Sequence, residues 1–101
     1  MAKKRLSDKK ILVTAAGQGM GRSAALAFAA EGAAVALADI SGEESREQSL
    51  DISERFGVNT IGVECDVADS KSVENAIATV AKTFDGVDTI ACMAATLTQR
   101  L

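Results

Sequence analysis

With 101 residues, 48% apolar and 25% charged, the chain has the composition of one small globular domain and no room for a second; folding at this length removes roughly 60 to 70% of the surface the unfolded chain exposes, which leaves little surplus stability. His, Tyr, Trp and Pro are all absent, so a histidine base and a tyrosine acid are excluded within these residues. The 11 basic and 14 acidic side chains leave a net charge of -3, which opposes a nucleic-acid backbone as partner.

Residues 1–8 read as a basic leader, with Lys3, Lys4 and Arg5 solvated ahead of the domain formed by residues 9–101. No apolar run follows that could serve a signal peptide, and no stretch nears the roughly 20 apolar residues of a membrane span, so the expectation is a cytoplasmic protein without a membrane partner. Ile11 to Thr14 is a β-branched apolar run that enters a glycine-bearing stretch, Ala15 to Gly21, as a buried strand enters a tight loop. Met20, Ala24, Ala27 and Phe28 recur at helical spacing and Gly32 stands where that helix ends. Ala34 to Ala38, closed by Asp39, reads as a second strand, and Ser41 with Glu44 has the form of a capping box opening a helix over 42–56. Leu50, Ile52 and Phe56 are its expected apolar contacts. Thr60 to Val63 predicts a third strand continuing to Cys65 and Asp66, and Asp69 or Ser70 caps a helix with the apolar stripe Val73, Ile77, Val80 and Phe84. Asp85-Gly86 ends it, and Thr89 to Ala95 is a fourth apolar strand. The two cysteines, Cys65 and Cys92, lie in apolar surroundings without a histidine or paired cysteine, as buried reduced thiols do.

The order βαβαβαβ, with strands too continuously apolar for a wet face, predicts an α/β parallel sheet covered by helices. Right-handed crossovers put the first two helices on one face. A reversal after the third strand gives the order 3-2-1-4, with the third helix opposite, a Rossmann-like doubly wound half.

Gly17-Gln18-Gly19-Met20-Gly21 joins the first strand to the first helix, where backbone N–H groups and the positive helix end hold a phosphate. Strand before, helix after and an acid about twenty residues on form the context of a dinucleotide site. That acid, Asp39, is placed to accept hydrogen bonds from an adenosine ribose, or to cap the following helix. A 2′-phosphate would be repelled, and neither Gln18 nor Ile40 supplies a cation for it; Arg22 is the only nearby candidate. NAD is therefore favoured over NADP. Ala16 to Ser23 resembles a nucleoside-triphosphatase phosphate loop but has Ala16 for its first glycine and Arg22 for its lysine. An S-adenosylmethionine-binding methyltransferase-like domain would also use acids such as Asp39 and Asp66, but places an acid ahead of the glycines where Thr14, Ala15 and Ala16 stand.

Taken together, Thr14-Ala-Ala-Gly17-Gln-Gly19-Met-Gly21, Asp39, Cys65-Asp66-Val67 and the strand after Val87-Asp88 resemble the short-chain dehydrogenase/reductase family over nearly the whole chain. The resemblance implies a pyrophosphate turn at Gly17, Gly19 and Gly21, NAD selection by Asp39, and adenine contacts from Asp66 and the backbone of Val67. It implies hydride transfer between a nicotinamide cofactor and an alcohol or ketone. Two positions depart: Ala15 replaces a glycine, and Cys92-Met93-Ala94-Ala95 stands for Asn-Asn-Ala-Gly, where only Ala94 matches. The family's Ser, Tyr and Lys catalytic set comes after the point where these residues end. The expectation is a cofactor-binding part, inactive by itself and open to small-molecule substrate only with the C-terminal part supplied. The alternative is a non-catalytic fragment or interaction module, self-associating through an exposed fourth strand.

Overall fold

The computed structural model describes residues 5–14 and 19–92, with side chains at 5–14 and 21–91. Its elements run β1 (Lys10–Thr14), α1 (Gly19–Ala30), β2 (Ala34–Asp39), α2 (Gly42–Phe56), β3 (Thr60–Glu64), α3 (Ser70–Phe84) and β4 (Thr89–Cys92). All strand pairs are parallel, and the sheet order is β3-β2-β1-β4, the order expected. The strands and helices thus form the Rossmann-like α/β arrangement predicted.

Alternation along the strands sorts the core into two layers, because successive side chains point to opposite faces. Ile11, Val13, Val35 and Leu37 pack with Ala25 and Ala29 of α1 and Ile52 of α2. On the other face, Leu12, Ala36, Ala38, Val63 and Cys65 pack with Ala76, Val80 and Phe84 of α3. The first two helices therefore cover one face and the third the other, as right-handed crossovers with a reversal after β3 require. Alanine at 25, 29, 36 and 38 keeps both contacts flat. Ahead of β1, residues 5–8 form a turn: Leu6 donates its N–H to the Glu31 carbonyl at 2.8 Å and packs against the first layer.

In α2 Ile52 is buried and Phe56 packs against the first layer, as expected, but Leu50 departs from expectation. Leu50 is 65% exposed, while Ser45, Ser49 and Ile52 are buried. The reason lies across the interface, at Gly62 of β3. A Cβ added there would stand 2.4 Å from the carbonyl carbon and oxygen of Ser45, so the helix backbone rests directly on the strand. The face holding 42, 45, 49 and 52 must then turn to the sheet, and Leu50, one residue from Ser49, is rotated about 100° away from it.

Helix ends follow local chemistry. Ser41 Oγ accepts from Glu44 N at 3.2 Å, the expected cap, and Asp69 accepts from Lys71 N at 3.0 Å to cap α3. Gly57 closes α2 at φ 69°, its N–H donating to the Ser53 carbonyl, and Asp85 closes α3 at φ 62°. Beyond Cys92 the expected continuation of the fourth strand to Ala95 lies outside the described residues.

Candidate functional site

The C-terminal ends of β1, β2 and β3 bring Thr14, Asp39 and the Asp66–Val67 segment to one edge of the sheet. There β1 lies between β2 and β4, the point where strand order reverses and where open α/β sheets bind ligands. Thr14 ends β1, is buried, and donates its hydroxyl to the Ala91 carbonyl of β4 at 3.4 Å. Gly19, Met20 and Gly21 form the first turn of α1, with Gly21 buried. Gly17 and Gln18, like Ala94, lie outside the described residues.

Asp39 is the last residue of β2 and only 4% exposed. Its Oδ1 accepts from Ser41 N at 3.0 Å, so both arms of the capping arrangement are present but the second belongs to Asp39 rather than to Glu44. The carboxylate is thereby oriented, with the backbone of the 39–41 turn fixed around it. Ile40, next in the chain, is 67% exposed, and Val67, across the edge after β3, is 49% exposed. Two exposed apolar side chains flanking a buried carboxylate make an edge suited to an aromatic ring attached to a hydroxylated sugar.

The 65–69 loop is braced from within. Asp66 Oδ1 accepts from Ala68 N at 3.0 Å, Asp66 N donates to Ser72 Oγ at 2.9 Å, and Asp69 N donates to the Asp66 carbonyl at 3.0 Å. Ser72, on the first turn of α3, is a positioning residue that sequence reading missed. Its signal was slight: a serine two residues inside a capped helix usually faces solvent. Cys65 N donates to the Asp39 carbonyl at 2.8 Å, which ties this loop to the end of β2. Cys65 is a free, buried thiol, as expected. Burial pushes its pKa up, the Ser72 hydroxyl works against that, and the charges of Asp66 and Asp69 add to it. A thiol so held is neutral and a poor nucleophile.

The nearby cations are placed differently from expectation. Arg22 does not stand free beside Asp39: its Nε donates to Gln48 Oε1 at 2.5 Å and its Nη2 lies 3.8 Å from Asp51 Oδ2, so it links α1 to α2. Arg46, which sequence reading passed over, folds back along α2 toward Gly42. A cavity of about 410 Å³ opens at the opposite edge, where Lys10, Ala34, Asn59 and Thr60 begin their strands or precede them; it is remote from this site.

Comparison with known proteins places the chain among oxidoreductases. A family model described as enoyl-(acyl carrier protein) reductase matches residues 14–101. L-rhamnose 1-dehydrogenase (NAD(P)(+)) of Azotobacter vinelandii is 36% identical over 88 residues, covering 84% of this chain and 34% of that protein. D-threitol dehydrogenase of Mycolicibacterium smegmatis is 37% identical over 84 residues, 83% of this chain and 32% of that protein. Among solved structures, L-sorbose reductase from Gluconobacter frateurii, complexed with NADPH and L-sorbose, superposes with a TM-score of 0.87 at 28% identity, covering 99% of this chain and 38% of that one. NADPH-dependent 3-quinuclidinone reductase from Rhodotorula rubra gives 0.82 at 34% identity, covering 87% of this chain and 33% of that one. The chain spans about a third of the length of these relatives.

Proposed function

The chain belongs to the short-chain dehydrogenase/reductase family, and on that premise we propose that it holds the adenosine and pyrophosphate end of a nicotinamide dinucleotide at the C-terminal edge of its sheet, with NAD preferred to NADP. The observation that carries the proposal is Asp39: a buried, oriented carboxylate at the end of β2. Its lone pairs suit the two hydroxyls of a ribose and oppose a phosphate on either. Gly17, Gly19 and Gly21 would let the backbone approach the pyrophosphate at the start of α1, with Gln18 and Met20 between them. Thr14 would brace that turn from β1, Ile40 and Val67 would flank the adenine, and Asp66 would accept from its amino group. Ala94, after β4, would lie along the nicotinamide ribose.

When bound, the cofactor supplies a hydride donor or acceptor. The residues named here bind and orient it. No tyrosine occurs among the 101 residues, so the family's proton donor has no counterpart here, and we place proton transfer to an alcohol or ketone substrate in the further two thirds that the relatives possess. The purified chain alone is expected to show no hydride transfer at 340 nm.

Calorimetric titration tests the binding reading. Asp39→Ala is expected to weaken NAD by about 1.5–3 kcal/mol, roughly ten- to a hundredfold. Equal affinity in the two proteins would remove Asp39 from the site, and S-adenosylmethionine binding in place of NAD would favour a methyltransferase-like role.

A second reading, a binding module that engages another chain, is favoured by β4. Paired only with β1 in the described sheet, it presents Ile90 at 43% exposure.

A further inference from the structure

Asp85 is the only aspartate of the chain that precedes a glycine, and it stands exposed where α3 ends and the chain turns toward β4. Its backbone is left-handed, at φ 62° and ψ 45°, which no other residue except glycine adopts among those described. A side chain is strained there, so the surroundings must hold it. Gly86 follows at φ 128°, and a Cβ on it would meet nothing within 4 Å, so no packing crowds its nitrogen.

The surroundings that hold the turn come from α3 and from β1. Gly86 N donates to the Ala81 carbonyl at 2.8 Å, a 6→1 bond that closes the helix. Lys10 Nζ donates to the Asp85 main-chain carbonyl at 3.1 Å. Three residues on, Asp88 N donates to the Lys10 carbonyl and Lys10 N to Asp88 Oδ2, each at 2.8 Å. Lys10 therefore grips the chain on both sides of the Asp85-Gly86 bond.

An aspartyl carboxyl and the next residue's backbone nitrogen can close a five-membered imide, and a following glycine offers the least obstruction to that approach. Closure requires Cβ and the nitrogen to be eclipsed about the Cα–C bond. At ψ 45° the Asp85 Cβ stands nearly opposite Gly86 N, and the N–H is already engaged with Ala81. The folded turn thus forbids the reaction. Rotating ψ to permit it carries Gly86 N away from Ala81 and swings the Asp85 carbonyl away from Lys10, so both bonds must open first.

We propose that Asp85-Gly86 is a self-modification site, converted to an isoaspartyl linkage when the last turn of α3 opens, with Lys10 as the clamp that sets how often it opens. Gly86 N attacks the Asp85 side-chain carboxyl carbon; the carboxyl hydroxyl and the amide proton leave as water. A second water then opens the imide at the former main-chain carbonyl. No redox change or co-reactant is involved. The main chain now runs through the Asp85 side chain and is one methylene longer, and the carbonyl that Lys10 held has become a free carboxylate. The added length enters between the two grips of Lys10, just ahead of the Asp88 contacts that begin the pairing of β1 with β4.

The test incubates the full chain in heavy-oxygen water, folded and unfolded in urea, and locates label and isoaspartate by mass spectrometry of the digested protein. Both are expected at Asp85, at a rate at least about tenfold lower in the folded chain than in the unfolded one. Lys10→Met is expected to raise the folded rate by roughly two- to tenfold, as loss of one hydrogen bond allows, and to leave the unfolded rate unchanged. Asp85→Gly, which suits φ 62°, should abolish the signal. Equal folded and unfolded rates would overturn the proposal, as would a folded chain that never reacts or an unfolded chain that does not react at Asp85. An unchanged rate in Lys10→Met would remove the clamp. In the wild type alone, a folded rate that climbs with low urea as steeply as global unfolding does would place the opening in the whole molecule rather than in the turn, and would equally overturn it.

Discussion

At Asp39 one carboxylate serves the fold and the candidate site together, because the oxygen that accepts from Ser41 N also fixes the direction in which the group faces. Substitution there has two consequences that separate by chemistry. Asp39→Asn keeps an acceptor for Ser41 N and should retain most of the roughly 1 kcal/mol that a capping side chain contributes, while losing the charged hydrogen bonds to ribose. Its melting temperature should stay near wild type as its NAD affinity falls, and a parallel fall in both would tie the effect to folding alone. Cys65 makes a different prediction. Burial holds its thiol above the ordinary range, so the unfolded chain releases that proton first. The stabilising contribution is complete below the unfolded value of about 8.5 and is lost as pH rises through the folded value. Urea denaturation at about pH 7 and about pH 10 should show a loss of stability on the alkaline side that is smaller in Cys65→Ala.

Between elements, the α2–β3 contact rests on what is missing from Gly62. The two glycines 57 and 62 separate two kinds of cost. At Gly57 an added Cβ meets nothing within 4 Å, and the penalty comes from φ 69° alone, about 1 kcal/mol. At Gly62 the added carbon falls 2.4 Å from helix backbone, which no rotamer relieves, and α2 must move off the sheet at about 3 kcal/mol or more. Denaturant midpoints should therefore fall much further for Gly62→Ala than for Gly57→Ala. A reversed order would mean that α2 is less closely seated than its geometry indicates. The same seating fixes the start of α2 against the Asp39–Ser41 turn.

For the whole molecule, β4 is an edge strand among the described residues, and we propose that this sets the chain's behaviour in solution. Ile90 is in register with Leu12 and shares its face of the sheet, but Leu12 is 2% exposed and Ile90 43%. β4 carries no charge along Thr89–Cys92 to oppose pairing with another strand. We expect sedimentation of the purified chain to show association that grows with concentration, and Ile90→Lys to shift it toward monomer. A wild-type chain that stays monomeric across the same range would show that the edge is protected.

Much of this was legible in one dimension. Apolar runs such as Ile11–Thr14 and Ala34–Ala38, separated by helical repeats, required a parallel sheet covered on both faces, because backbone period and burial are written together in such segments. The spacing from the glycines to Asp39 points to one edge of that sheet from the sequence alone. Three features depended on contacts between segments distant in sequence. Gly62 reads in sequence as a small residue within a strand, and only the approach of Ser45 makes it the reason Leu50 faces water. Ser72 reads as a helix serine until Asp66 N is found against it. Arg22 reads in sequence as a free cation near the second strand, and only the packing of α1 on α2 gives it to Gln48 and Asp51. Local periodicity determines which elements form and which face each buries, but the partner of a charged or small side chain is set by how closely the elements pack, and that distance belongs to the tertiary structure.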